Sequence, residues 1–375
     1  MDEQAANLIL LRAPALSGAQ LFALLHAYGS ATASFKAGPA AWREIGLTPL
    51  TCYFLQTVHL DTVGTDRAWL EAEHHSLVMI GHPLYPALLQ QLTDAPLGLF
   101  VSGNPDLLAT PQLAIVGSRN PTPYGRELAE SFAKHLSTCG LCITSGLAEG
   151  IDAASHRGAL AGKASGGTTV AVCGTGPDII YPRSSTDLAR EIEQYGALVS
   201  EFPPGTQPRK HHFPQRNRII SGLSLGTLVV EAALHSGSLI TARQAGEQGR
   251  EVFAIPGSVH NPLSKGCHHL IQQGAKLVDT AEDILSELGP LAATLRITAQ
   301  SDTSNPIDSK GFSKSRLDKE YKILLDALGF EPLGVDQLVT RSGLGADAVA
   351  SMLLILELEE CIQSCPGGLY VRARV

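Results

Sequence analysis

The chain has 375 residues, 44% hydrophobic and 17% charged, a globular composition too long for one ordinary domain. With 28 Lys and Arg against 36 Asp and Glu, it excludes a generally basic nucleic-acid coat, so affinity for a polyanion must come from a local patch. No apolar run spans a bilayer, Met1-Asp2-Glu3-Gln4 lacks the layout of a signal peptide, and seven cysteines have no framework spacing; the cytoplasm is the expected compartment.

Residues 1–76 read as short amphipathic helices without a strand pattern. The clearest runs from Ser17 to Tyr28, with Leu21, Leu24 and Leu25 on one face and Gly29 as its stop. The segment resembles small modules of the sterile-alpha-motif or helix-hairpin-helix kind. Its acidic balance favours a packing or spacer role.

Over residues 77–290 short apolar runs alternate with amphipathic helices. The runs are Leu113–Val116, Leu141–Thr144, Thr168–Val172, Ala197–Ser200, Thr227–Val230 and Val252–Ile255. Buried runs separated by helices imply parallel pairing with right-handed crossovers. The expected class is α/β, a Rossmann-like, doubly wound, mostly parallel sheet. Cys139-Gly-Leu-Cys142 has redox spacing, but at a strand entry it reads as two buried thiols. Residues 291–315 are polar and read as a linker. Residues 316–375 offer helices at Tyr321–Leu328, Val335–Thr340 and Ala346–Leu358. A hairpin of Cys361–Ser364 and Leu369–Val371 around Pro366-Gly-Gly368 follows, which together make a winged-helix layout. Its acidic balance places partner binding beside DNA reading.

Ligands of an open parallel sheet collect where the strands end. Gly117-Ser118-Arg119, Ser145-Gly146, Gly174-Thr-Gly176 and Pro256-Gly257 fall on that edge. Glycine turns let backbone amides approach an anion, and Arg119 supplies a bidentate donor for phosphate. No P-loop is present, and Gly176 is followed by proline where a dinucleotide fingerprint needs a helix, so no nucleotide cofactor is expected. Neither a nucleophile elbow nor metal-ligand spacing occurs, and no metal is expected. One stretch departs from the acidic average. Between Glu201 and Glu231 there is no acid, while Arg209, Lys210, Arg216 and Arg218 fall within ten residues. Arg216 reads equally as a buried partner of Asp152 or Glu231 and as a DNA contact. His156 is expected as a hydrogen-bonded helix residue.

Several ordered motifs carry a family resemblance. Val116-Gly-Ser-Arg-Asn-Pro-Thr-Pro-Tyr-Gly125, Ser145-Gly-Leu-Ala-Glu-Gly-Ile-Asp152 and Gly174-Thr-Gly-Pro-Asp178 with Tyr181-Pro182 come first. Phe213-Pro-Gln-Arg-Asn-Arg-Ile-Ile-Ser-Gly-Leu223, Val230-Glu-Ala232, Ser236-Gly-Ser-Leu-Ile-Thr241 and Gly249–Gly257 follow. Over about residues 78–285 these resemble the bacterial DprA (Smf) family. The resemblance implies a non-enzymatic protein that binds incoming single-stranded DNA without sequence preference in a positively charged pocket. It also implies action as a dimer through the core and loading of the RecA recombinase during natural transformation. The DNA-binding residues expected on this basis are Gly117, Ser118, Arg119, Tyr124, Gly125, Ser145, Gly146, Arg183, Lys210, Phe213, Arg216, Asn217, Arg218, Ser236, Gly237 and Ser238. Ser185 stands where the family commonly has Asn, and no role is carried over to it. The alternative is a Rossmann-like nucleoside-monophosphate phosphoribohydrolase using Glu231, although the P-G-G-x-G-T-x-x-E signature of the Lonely Guy family is missing.

Overall fold

The structure is a computed structural model. It describes residues 1–289, 291, 324, 327–328, 333–346, 349, 352–353, 356, 362–365 and 369–372. The chain divides into two compact units, Met1–Ser304 and Asn305–Val375. The expected linker beyond residue 291 and the Pro366-Gly-Gly368 turn lie outside the described residues, as do most of the helices expected at Tyr321–Leu328 and Ala346–Leu358.

The first unit opens with five helices: α1 (Glu3–Arg12), α2 (Gly18–Tyr28), α3 (Ala31–Glu44), α4 (Pro49–Thr57) and α5 (Gly64–Leu70). Local chemistry sets their limits. Ser17 and Gln20 close a capping box on α2, and Gly29 ends it in the left-handed region at φ 78°. Their apolar faces are continuous with the core beneath the sheet, where Leu8, Leu21 and Trp42 join one cluster with Leu99, Val116 and Val229.

Nine strands follow. They are β1 (His75–Met79), β2 (Gly98–Gly103), β3 (Gln112–Val116), β4 (Cys142–Ser145), β5 (Thr169–Val172), β6 (Ala197–Ser200), β7 (Gly226–Val229), β8 (Glu251–Ala254) and β9 (Lys276–Leu277). Their order is β1-β2-β6-β5-β4-β3-β7-β8-β9. The seven from β6 to β9 pair in parallel, while β2 runs antiparallel to both β6 and β1. Strand periodicity divides the side chains between two faces. On one, Ala114, Val116, Val170 and Val229 meet Ile219, Ile220 and Leu223 of the helix His212–Leu223. On the other, Leu113, Ile115, Ile143 and Leu228 meet Phe132 and Leu136 of the helix Pro123–Thr138. Apolar surface covered on both faces makes this a doubly wound α/β sheet. Along the chain the sheet grows from β3 outward to β6, then returns to lay β7 against the other edge of β3. That reversal opens a crevice between the ends of β3 and β7.

In the second unit, Leu333–Gly334, Leu369–Arg372 and Ile362–Cys365 form an antiparallel three-stranded sheet in that spatial order. The helix Val335–Ser342 ends at Gly343, which takes φ 70°. Leu324, Leu338, Val349, Leu353 and Ile362 are buried together as its core. The strand at Leu333–Gly334 completes the wing; its two residues are too short to read from sequence.

Candidate nucleic-acid interface

The turn after β3 is clamped on two sides. Ser118 N donates to Glu231 O at 2.7 Å, and Ile151 N donates to Ser118 O at 3.1 Å. A Cβ on Gly117 would lie 2.7 Å from Ile151 Cγ1 and 2.9 Å from Glu231 O, so only glycine fits between the end of β7 and the helix Ile151–Ala161. Thr122 then caps the helix Pro123–Thr138, its hydroxyl accepting from Gly125 N at 3.0 Å. This geometry leaves Arg119 exposed at the rim.

A cavity of about 560 Å³ opens at this switch point. Its walls bring together Gly117, Arg119, Lys210, Phe213, Arg216, Asn217, Ser236, Gly237 and Ser238, all expected from the sequence. Asp152, Ile240 and Thr241 also line it, although none stood among the expected site residues, and so does Tyr181, which the sequence offers with Phe213 and Tyr124 as a candidate stacking ring. A smaller cavity of about 80 Å³ adjoins, lined by Arg119, Gly146, Tyr181, Phe213 and Arg216 among others.

The cations differ in how their charge is used. Among the described residues Arg119, Arg183, Arg209 and Lys210 take part in no ion pair. Arg216 is 4% exposed and lies in the wall. Its Nη1 donates to Gly146 O at 2.6 Å and to Val172 O, and its Nε donates to Asn217 Oδ1 at 3.2 Å. A side chain on Gly146 would collide with this guanidinium. Burial pushes the Asp152 carboxyl up to about 6, and the nearby Arg216 charge pulls it back. Arg216 is thus buried against backbone carbonyls beside Asp152, makes no ion pair with Asp152 or Glu231 among the described residues, and presents part of its surface to the cavity.

The floor is aromatic. Phe213 sits over Gly174, where a Cβ would come within 2.9 Å of the ring. Tyr181, 47% exposed, lies with its ring centroid 5.4 Å from that of Phe213. The loop that carries Lys210 is pinned beside them, because Asp178 accepts from Gly205 N at 2.8 Å and Gly176 N donates to Thr206 O at 2.9 Å.

Other expected residues fall outside the cavity. Ser145 is buried and donates to Ile115 O at 2.6 Å. Ser118 Oγ accepts from Asn120 N, and Gly125 packs against the Glu231 carboxylate. Tyr124, 68% exposed, and Arg183 stand on the surface without lining it. Arg218 is 8% exposed and committed elsewhere, its guanidinium pairing with Glu201 and, at 3.4 Å, with Asp94. Helical residues two apart point to nearly opposite sides, so Arg216 and Arg218 could not both face one cavity.

Two further readings change. Cys142 is buried as expected, but Cys139 is exposed at the end of its helix, and both are free thiols. His156 is hydrogen-bonded through Nδ1 to Thr169 Oγ1 at 2.7 Å, while its Nε2 is buried without a partner among the described residues and burial pushes its pKa down to about 3.

Residues 76–289 match the family model of the DNA recombination-mediator protein A, and residues 309–368 match the DprA winged helix domain. The chain belongs to the DprA family. It is 44% identical to Protein Smf of Escherichia coli over 88% of this chain and 86% of that protein. It is 51% identical to DNA processing protein DprA of Streptococcus pneumoniae over 54% of this chain and 71% of that one. Among solved structures, DNA processing protein A from Streptococcus pneumoniae superposes with a TM-score of 0.65 at 38% identity, covering 76% of this chain and 99% of that one. The DNA processing protein A of Helicobacter pylori, solved for its single-stranded DNA binding mode, gives a TM-score of 0.52 at 29% identity over 57% of this chain and 95% of that one. DprA membership accounts for the sheet and the winged-helix unit together. Among the described residues no helix is long and apolar enough to cross a membrane.

Proposed function

We propose that this DprA-family protein binds single-stranded DNA without sequence preference in the switch-point cavity and processes it for recombination during transformation. The observation that carries the reading is the coincidence of unpaired cations with a two-ring aromatic floor. Arg119 and Lys210 stand in the cavity wall without ion pairs among the described residues, together with Phe213 and Tyr181. Single-strand binding combines phosphate neutralisation with stacking on aromatic faces, and neither contact reads base identity. Arg119, Lys210 and Arg216 would meet phosphates, and Phe213 and Tyr181 would take bases. The family relationship supports the DNA-processing role, and the relative from Helicobacter pylori supports the single-stranded form of the ligand.

Handing the bound strand to a recombinase of the RecA type, and acting as a homodimer through the core, belong to the same proposal and rest on the family relationship. A non-enzymatic role is supported by the position of Glu231. Its carboxylate oxygens accept from Thr122 N at 2.8 Å and Thr122 Oγ1 at 2.7 Å, so it is occupied by the protein rather than offered to an N-glycosidic bond.

Fluorescence anisotropy of labelled oligonucleotides of two unrelated sequences, with a matched duplex, at two salt concentrations, tests the reading. Salt-sensitive binding of both single strands in preference to the duplex is expected. Equal binding to duplex, or no binding, refutes it, and release of base from a nucleoside monophosphate would restore the hydrolase alternative.

A further inference from the structure

In a Rossmann-like sheet the turn after the first parallel strand leads into a helix whose N-terminal amides and dipole attract an anion. Here that strand is β3 and that helix is Pro123–Thr138. The position is filled from within. Glu231, at the end of β7, sends its carboxylate across the switch point to Thr122, accepting from its backbone N at 2.8 Å and its hydroxyl at 2.7 Å. The same residue holds the turn from its main chain, since Glu231 O accepts Ser118 N at 2.7 Å. Gly125, in the first turn of the helix, leaves the room: a Cβ there would lie 2.6 and 2.8 Å from the two carboxylate oxygens. Glu231 itself is 7% exposed. One residue therefore fixes both ends of the segment Ser118–Thr122, and Arg119 lies between them.

We propose that Glu231 is a positioning residue for DNA binding: a resident anion at the helix N-terminus that locks the Ser118–Thr122 turn and so aims Arg119 into the cavity. The inference rests on the functional reading above and deepens it. It also accounts for the direction of the site. With the helix N-terminus already holding a carboxylate, an incoming phosphate is turned outward, to the guanidinium of Arg119 and to Lys210 across the cavity. The spacing from Gly117 to Gly125 then has a physical meaning. The first glycine admits the backbone of Glu231 just beyond β7, and the second admits the carboxylate of the same residue.

A double-mutant cycle on single-strand affinity tests this. Glu231→Ala frees the turn, Arg119→Ala removes the cation it aims, and Lys210→Ala removes a cation held by a different loop. Glu231→Ala is expected to weaken binding on the order of tenfold, to within a few-fold of Arg119→Ala. Adding Arg119→Ala to Glu231→Ala should then cost little more, while adding Lys210→Ala should cost its full single-variant effect. A general loss of fold quality would weaken all cations alike and would not separate these two. Thr122→Val, which removes the hydroxyl between Glu231 and Gly125 but keeps the backbone donor, supplies the same cycle if Glu231→Ala does not fold; Thr122→Ser should restore the coupling. Full additivity of Arg119→Ala with Glu231→Ala, or with Thr122→Val, overturns the inference while leaving the binding site standing. No effect of Arg119→Ala by itself overturns the inference together with the assignment of Arg119 to the site.

Discussion

Arg119→Ala is the substitution whose consequences follow most directly from the geometry. The side chain is exposed at the cavity rim and has no ion pair among the described residues, so its removal leaves neither a hole nor an orphaned acid. Stability should be nearly unchanged, as for surface changes generally, within about 0.5 kcal/mol. A lost charge-assisted contact to phosphate is worth about 1.5–3 kcal/mol, which is between about tenfold and 150-fold in affinity. The salt dependence gives a second, independent magnitude. Each phosphate neutralised on a single strand contributes about −0.7 to the slope of log affinity against log salt, so one lost contact should flatten the slope by about that amount. Between about 50 and 200 mM salt the gap between the original protein and the variant should close by about 2.6-fold. Anisotropy titrations at four salt concentrations, repeated with two unrelated sequences, measure both quantities. Parallel slopes would refute the claim that Arg119 neutralises a phosphate. An effect confined to one of the two sequences would refute the claim that the contact is blind to bases.

An arginine of the Phe213–Leu223 motif should behave in the opposite way: Arg218→Ala breaks a buried pair with Glu201 and should destabilise the fold by about 3–5 kcal/mol in chemical denaturation, with single-strand affinity of the folded fraction little changed. Phe213→Ala should weaken binding by about 1–3 kcal/mol, the worth of one stacked base, while leaving the salt slope as it was; a flattened slope would mean that the ring acts through the neighbouring cations. Affinity should rise as the pH falls from neutrality through about 6, because the Asp152 carboxyl in the cavity wall is neutral below that value and ionised above it. Asp152→Asn should bind more tightly at neutral pH with a flatter profile, and a profile unchanged by this substitution would refute the assignment of the dependence to Asp152.

Most of the parallel part of the sheet was legible because strands buried on both faces read as continuous apolar runs, and β3 to β7 do so, whereas β8 opens on the exposed Glu251 and the two-residue β9 was not read. β1 and β2 were not read as strands. Whether Gly98–Gly103 joins the sheet, and in which direction, depends on pairing with Ala197–Ser200, a partner far along the chain that no local pattern reports. The cavity was legible in its glycine turns and its acid-free stretch, yet Ser145 and Arg218 were drawn into it by belonging to the right motifs. Ser145 is the last residue of β4, and in a strand the side chain faces one layer or the other. Its hydroxyl turns to the neighbouring strand, where it donates to Ile115 O. Arg218 is separated from Arg216 by two positions of a helix, and that spacing alone excludes a shared face. The motif identified the segment, and periodicity divides its residues between core and site.

Charge shows the same division more sharply. The net charge of −8 suggests a protein that phosphate would avoid, but a cation acts on a ligand only to the extent that no internal acid already neutralises it. Arg12, Arg67, Lys163, Arg190, Arg218 and Lys276 are each paired with an acid of the chain. Among the described residues Arg119, Arg209 and Lys210 are not, and the first and last of them line the cavity. Of the acids near the site, Glu149 is exposed beside the smaller cavity and accepts from Ser184 Oγ, while three others are withdrawn from the ligand. Glu231 is turned inward to Thr122, Asp178 is held by Gly205 N, and Asp152 is buried with its carboxyl pushed up to about 6. A count of residues cannot separate paired from unpaired cations, because pairing is made by tertiary contacts such as Arg12 with Asp66, 54 positions apart. The local field over the cavity is therefore set by which acids the fold keeps occupied, and an acidic chain with a few unoccupied cations around an aromatic floor can bind a polyanion there.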